Sequence, residues 1–132
     1  MENYPVKVIM AFAETFSEGN KFHDWLLSHG YPELAALSSA VRGSEEAFHW
    51  LMKNQFYHLA ALDGAIDNQL KARLWLVRHD YHILVFLADT VNGNKMAAEK
   101  LNSNEYQILL YLAGKIKNYR DNQVFDYHKM HF

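Results

Sequence analysis

Residues 50–75 read WLMKNQFYHLAALDGAIDNQLKARLW, which runs from one tryptophan to the next in a single unit of 25 residues. Trp25 precedes Trp50 by the same interval, and Lys100 takes the next place. Copies laid out from Trp25 align without gaps through Val124. The columns that emerge are Leu26, Leu51, Leu76, Leu101; then Leu34, Leu59, Leu84, Leu109; then Leu37, Leu62, Leu87, Leu112. Twelve of the 16 leucines fall in these three columns, which removes chance as an explanation. An aromatic column (Tyr31, Phe56, Tyr81, Tyr106) and a β-branched one (Val41, Ile66, Val91, Ile116) recur beside them. A fixed period of this length is the mark of stacked supersecondary units.

The columns have a helical phase. Leu34, Leu37 and Val41 are spaced i, i+3, i+7, and Ala47, Trp50 and Leu51 are spaced i, i+3, i+4. Each unit therefore holds two short helices. Gly43, Asn68, Gly93 and Asn118 form the column where the second helix stops, because Gly and Asn best tolerate the left-handed C′ conformation. Pro32 suits a first helical position. Ser44 and Asn94 suit N-caps. Glu45 and Glu46 favour the first-turn end of the dipole. The pattern predicts helices near 6–17, 20–29, 32–42, 45–54, 57–67, 69–79, 82–92, 95–102, 105–117 and 121–130, with no strand. Ile9, Phe12 and Phe16 precede Leu34, Leu37 and Val41 by one period and read as half a unit.

The expected organisation is one all-α domain over 1–132. A cap at 1–19 precedes units near 20–43, 44–68, 69–93 and 94–118, and a second cap covers 119–132. This is an α-solenoid in a right-handed stack. The 132-residue length leaves no room for two ordinary domains. Half of the residues are hydrophobic and 21% are charged, as in a packed globular chain. A net charge of -2 lacks the basic excess of a nucleic-acid binder. The absence of cysteine excludes disulfides, thiolate metal sites and a cysteine nucleophile. No signal peptide or membrane span is legible in the sequence. The expectation is a cytoplasmic protein that engages neither membrane nor nucleic acid.

The segment 48–66, FHWLMKNQFYHLAALDGAI, resembles the helical part of an ankyrin repeat. Phe48 and His49 resemble the Leu-His pair that opens the first ankyrin helix. Asn54, Gln55 and Phe56 stand at its inter-helix turn, and Leu59 and Leu62 match the apolar positions of the second helix. The unit is 25 residues rather than the ankyrin 33, so the resemblance implies finger hairpins cut back to tight loops. It also implies that the first helices line a concave face. That face carries Phe48, His49, Lys53, Arg73 and Arg78, suited to an acidic or aromatic partner segment.

No nucleotide loop, nucleophile elbow or His-Glu-x-x-His motif is present. His79 and His82 flank a predicted turn, and His128 and His131 lie near the end of the sequence, so neither pair reads as a metal site. The column His29, Asn54, His79, Asn104 reads as turn caps that bond local backbone. The tryptophans read as filling between successive units. The later second helices are apolar nearly all round, in ILVFLA (83–88) and ILLYLA (108–113). Val85, Phe86, Leu110 and Tyr111 there must be covered by the aromatic tail (Phe125, Tyr127, Phe132) or by a second copy in a homodimer near Phe86 and Tyr111. The leading expectation is a non-enzymatic protein-interaction module or small scaffold, with no cofactor and no metal. The alternative is a small-ligand-binding or hydrolytic protein with a cleft holding His49, His58 or His82 beside a carboxylate.

Overall fold

The computed structural model describes residues 1–17, 19–103 and 106–130, with side chains through Gln123. The described chain is all-helical, without strands. It comprises α1 (Val6–Glu14), α2 (Lys21–Ser28), α3 (Pro32–Val41), α4 (Glu45–Lys53), α5 (Tyr57–Ile66), α6 (Leu70–Arg78), α7 (His82–Val91), α8 (Lys95–Asn102) and α9 (Gln107–Met130). Pro32 begins α3. The Ser44 hydroxyl accepts from the Ala47 amide at 3.1 Å, and Asn94 Oδ1 accepts from the Ala97 amide at 3.0 Å. Those bonds satisfy amides that the first helical turn otherwise orphans.

Tight turns end α3, α5 and α7 where the Gly/Asn column places them. Gly43, Asn68 and Gly93 have φ of 105°, 62° and 92°. The amides that follow, of Ser44, Gln69 and Asn94, donate back to Ser39, Gly64 and Asp89 at 2.9 Å, the six-to-one bond of a Schellman ending. The turns after α2, α4 and α6 use the same device, with the amides of Tyr31, Phe56 and Tyr81 bonded to the carbonyls of Leu26, Leu51 and Leu76. Their left-handed residues are Gly30, Gln55 and Asp80.

The even-numbered helices form an outer layer around the odd-numbered ones. Helix α2 packs on α1 and α3, α4 on α3 and α5, α6 on α5 and α7, and α8 on α7 and α9. Each is anchored by one fully buried leucine: Leu26, Leu51, Leu76 and Leu101. The odd helices touch in the order α1, α3, α5, α7, α9, and α9 packs on α1. Two five-membered sets of side chains fill the middle: Ile9, Leu34, Leu59, Leu84, Leu109, and Phe12, Leu37, Leu62, Leu87, Leu112.

Three expectations change here. The stack does not end in two separate caps, since its first and last helices meet. At that junction the Tyr111 hydroxyl donates to Glu14, Lys115 Nζ lies 3.4 Å from Glu14 Oε2 and 3.0 Å from Ser17 Oγ, and Phe16 packs on Tyr119 with ring centroids 6.0 Å apart. The break expected at Asn118 is absent as well, and α9 runs on to Met130. A fifth outer helix needs a leucine at the next buried column position, and the sequence has Asp126 there. Arg120 instead reaches across the end of the ring, donating to the Ile66 carbonyl at 2.7 Å and Asn92 Oδ1 at 2.8 Å. Helix α1 stops at Glu14, earlier than its apolar pattern suggests.

The tryptophans fill the space between units only in part, Trp25 and Trp75 packing against the core and Trp50 lying at the surface. Trp25 and Trp75 are half-buried and Trp50 is 36% exposed. All three also cover the turns: Trp25, Trp75 and Trp50 stack on His29, His79 and Phe56 at 4.0, 4.0 and 5.9 Å between centroids. The neighbouring leucine column carries the burial.

Candidate functional site

A groove runs along the outward face of α5 between α4 and α6. Its depth follows from Ala61, while Gly64 lets α6 approach so closely that a Cβ there would meet Ala72 Cβ at 2.6 Å and Gln69 Oε1 at 3.0 Å. At the column held by Phe86 in α7, α5 has Ala61; at the column held by Asp89, it has Gly64. Over α7 the equivalent space keeps a polar cleft of about 370 Å³, lined by Gln69, Arg73, Asp89, Asn92 and Asn94, but is closed at its apolar end. Phe86 occupies it beneath Lys100, whose Nζ sits 5.3 Å from the ring centroid. Arg73 crosses it to Asp89 through two bonds of 2.9 and 2.8 Å. Over α5 the space is open. Its apolar end holds about 260 Å³ between Phe48, Met52, Tyr57, Ala61, Ala72 and Trp75. Met52 and Tyr57 are exposed and Phe48 and Trp75 half-buried.

At Phe48, Gly64 and Gln69 this end joins a second cleft of about 520 Å³. The second cleft is polar, lined by Glu45, His49, Asp63, Asp67 and Arg120. Asp63 and Asp67 sit one helical turn apart near the C-terminus of α5, where the helix dipole already disfavours negative charge. Burial, with Asp67 as a second cause, pushes the Asp63 carboxyl up to about 6. Among the described residues no cation pairs with Glu45, Asp63 or Asp67. Arg120 points its bonds at Ile66 and Asn92.

The groove gathers part of the residue set expected from sequence. Phe48 and His49 line it, at 5.7 Å from each other. Lys53 and Arg78 are exposed at the last turns of α4 and α6 and line neither cleft. Arg73 pairs with Asp89 and lines the polar cleft over α7 instead. Of the apolar set, Val85 is 5% exposed and therefore interior. Phe86 and Leu110 are half-buried against the core. Tyr111 alone is exposed, at the α1–α9 junction where no outer helix lies. The tail residues Phe125, Tyr127 and Phe132 lie outside the described side chains. Met52, Tyr57, Trp75 and Gly64 were not singled out from sequence. The legible signal was the pairing of Ala61 with Gly64, where the same two columns pair Ala36 with Ser39, Phe86 with Asp89 and Tyr111 with Gly114.

A further cleft, of about 450 Å³, lies at the opposite end of the ring, lined by Met1, Tyr4, His58, Asp80, Tyr81 and His82 among others. Burial, followed by the nearby N-terminal amine, pulls His58 below its ordinary range. His82 Nε2 lies 3.4 Å from Asp80 Oδ1, and both are exposed. The turn-cap column behaves as its residue types suggest. His29 Nδ1, Asn54 Nδ2 and His79 Nδ1 each meet the carbonyl four residues back at 2.8 Å. Asn104, His128 and His131 lie outside the described side chains. Among the described residues no three His, Asp or Glu side chains are grouped to hold a metal ion, and no helix is long and apolar enough to cross a membrane.

Comparisons with protein-family models, with curated proteins and with solved structures found no match.

Proposed function

We propose that this chain is a protein-interaction module, a small helical-repeat scaffold in the cytoplasm that binds a segment of another protein in the groove on α5. One observation carries the reading. The apolar trough is open over α5, whereas over α7 Phe86 fills it beneath Lys100. An apolar trough flanked by two helices is a common seat for a partner helix or extended segment. The unit architecture, ankyrin-like with shortened loops, fits a role in which loops matter less than helix faces. The test is affinity capture from the native host's lysate with the wild-type protein and with Ala61→Phe, which copies the filling seen at Phe86. A stoichiometric partner kept by wild type and lost by the variant supports the reading. Equal recovery by both removes the groove.

A second reading has one observation behind it: the polar cleft is lined by His49 as well as by Asp63, Asp67 and Glu45. A histidine flanked by carboxylates is what small-ligand binding or hydrolysis would use. No described hydrogen bond joins His49 to a carboxylate, so the base-and-orienter geometry of a hydrolytic set is missing. Screening the protein against ester and phosphoester substrates with wild type and His49→Ala tests it. Turnover lost in the variant would favour the enzyme; equal background in both would retire it.

A further inference from the structure

We infer that the partner segment is basic at one end: it lays apolar side chains over Ala61 and Trp75 and sets a lysine or arginine between Asp63 and Asp67. This rests on the interaction reading and names the chemistry of its partner. The apolar cleft from Met52 and Tyr57 and the polar cleft at Asp67 adjoin at Phe48, Gly64 and Gln69, and helix α5 is 10 residues long. At ~1.5 Å per residue that gives a floor of ~15 Å, enough for about three helical turns or five extended residues. The apolar end excludes charge from the middle of the seat. The polar end presents three carboxylates, Glu45, Asp63 and Asp67, against Arg120, whose guanidinium is already bonded to Ile66 and Asn92. Asp63 is half-buried, and its proton affinity is raised by burial and by Asp67. A cation placed between the two aspartates relieves both effects at once, because an opposite charge at close range favours the ionised pair. An acidic segment would add like charge at the same place. The two ends together specify polarity: apolar side chains toward the start of α5, a cation toward its C-terminus, where the helix dipole also favours positive charge.

The probe is a phage-displayed library of random twelve-residue peptides selected on the folded protein. The enriched peptides are then measured by fluorescence anisotropy against wild type, Ala61→Phe and the double variant Asp63→Asn, Asp67→Asn. The expected result is a consensus of apolar residues followed by Lys or Arg. Ala61→Phe abolishes its binding, and the double variant weakens it about tenfold at low salt, a gap that closes as ionic strength rises. The Trp75 indole N–H signal moves on titration while that of Trp25 stays. Helical circular dichroism equal to wild type certifies both variants. Enriched peptides that need an open groove but bind the double variant equally well overturn the basic-partner inference and leave the interaction reading standing. Enriched peptides that ignore Ala61→Phe, or an enriched acidic consensus, overturn it too. A library yielding no groove-dependent sequence overturns the inference and the groove reading together.

Discussion

Adjacent residues of the unit carry opposite weights. Leu51 is fully buried, while its neighbour Trp50 is 36% exposed and stacked on Phe56. Leu51→Ala is expected to cost about 2–5 kcal/mol through lost transfer energy and a cavity that the ring cannot collapse. Trp50→Ala should cost only about 1–2 kcal/mol, the loss of one stacking contact and part of its burial. Urea titration of both variants checks the ordering, and a larger loss at Trp50 would overturn it. The turns offer a change in the other direction. Gln55 and Asp80 hold φ of 65° and 63°, where Gly30 holds 87°. A side chain in this region costs about 1–2 kcal/mol per residue, and glycine's extra freedom in the unfolded chain cancels about half of that. Asp80→Gly and Gln55→Gly should each stabilise by about 0.5–1 kcal/mol, read as a higher Tm; a lower Tm would deny the strain. Asp63 gives the pH dependence. Its carboxyl sits at about 6 in the folded chain against 3.8 as the ordinary value. The folded state therefore binds its proton more tightly than the unfolded state does. That stability is fully present below pH 4 and is lost as pH rises through 6. Asp63→Asn should raise stability at pH 8 by about 1–2 kcal/mol, allowing for partial exposure, and leave it unchanged relative to wild type near pH 4.

At the scale of elements the sequence was informative because helix boundaries are local chemistry. Starts at Pro32, Glu45 and Lys95 and stops before Gly43, Asn68 and Gly93 follow from caps and left-handed tolerance, each decided within a few residues. The failure at Asn118 has the same origin read the other way. The stop residue is present, but a helix ends only if the next one can dock, and Asp126 in a leucine column removes the docking energy. The groove was half legible. Phe48 and His49 were visible as variable positions on a first helix, whereas the opening depends on how close α6 comes to α5. That approach is set by Gly64: a Cβ built there would meet the Ala72 Cβ at 2.6 Å. Neither atom can move without its helix. Alanine ordinarily gains about 1 kcal/mol over glycine inside a helix, but overpacking costs about 1–3 kcal/mol. Gly64→Ala is therefore expected to destabilise by about 1 kcal/mol, with the α5–α6 amides losing hydrogen-exchange protection. A gain in stability would mean that the two helices separate freely.

For the whole molecule the decisive fact is the contact of α1 with α9, which no local pattern announces. Residue spacing fixes which faces meet between neighbours; whether the row comes back to its start depends on the small rotation between units, summed around the chain. The half-unit Ile9, Phe12 and Phe16 looked like an end cap, and it completes the inner ring instead. This changes how the molecule should unfold. In an open row each unit is stabilised only by its neighbours, and damage at one end stays there. In a ring, α1 supports α3 on one side and α9 on the other, so the two ends of the chain fail together. Phe12 is fully buried and packs edge-on against Phe16 at 5.4 Å, and Phe16 reaches Tyr119 of α9. Phe12→Ala should cost about 3–5 kcal/mol. Native-state hydrogen exchange should show the loss of protection in α9 as deeply as in α1 and α3, though more than 90 residues of chain separate α1 from α9. Protection retained in α9 while α1 and α3 lose theirs would mean that the junction carries no energy, and that the stack behaves as a row whose ends merely touch.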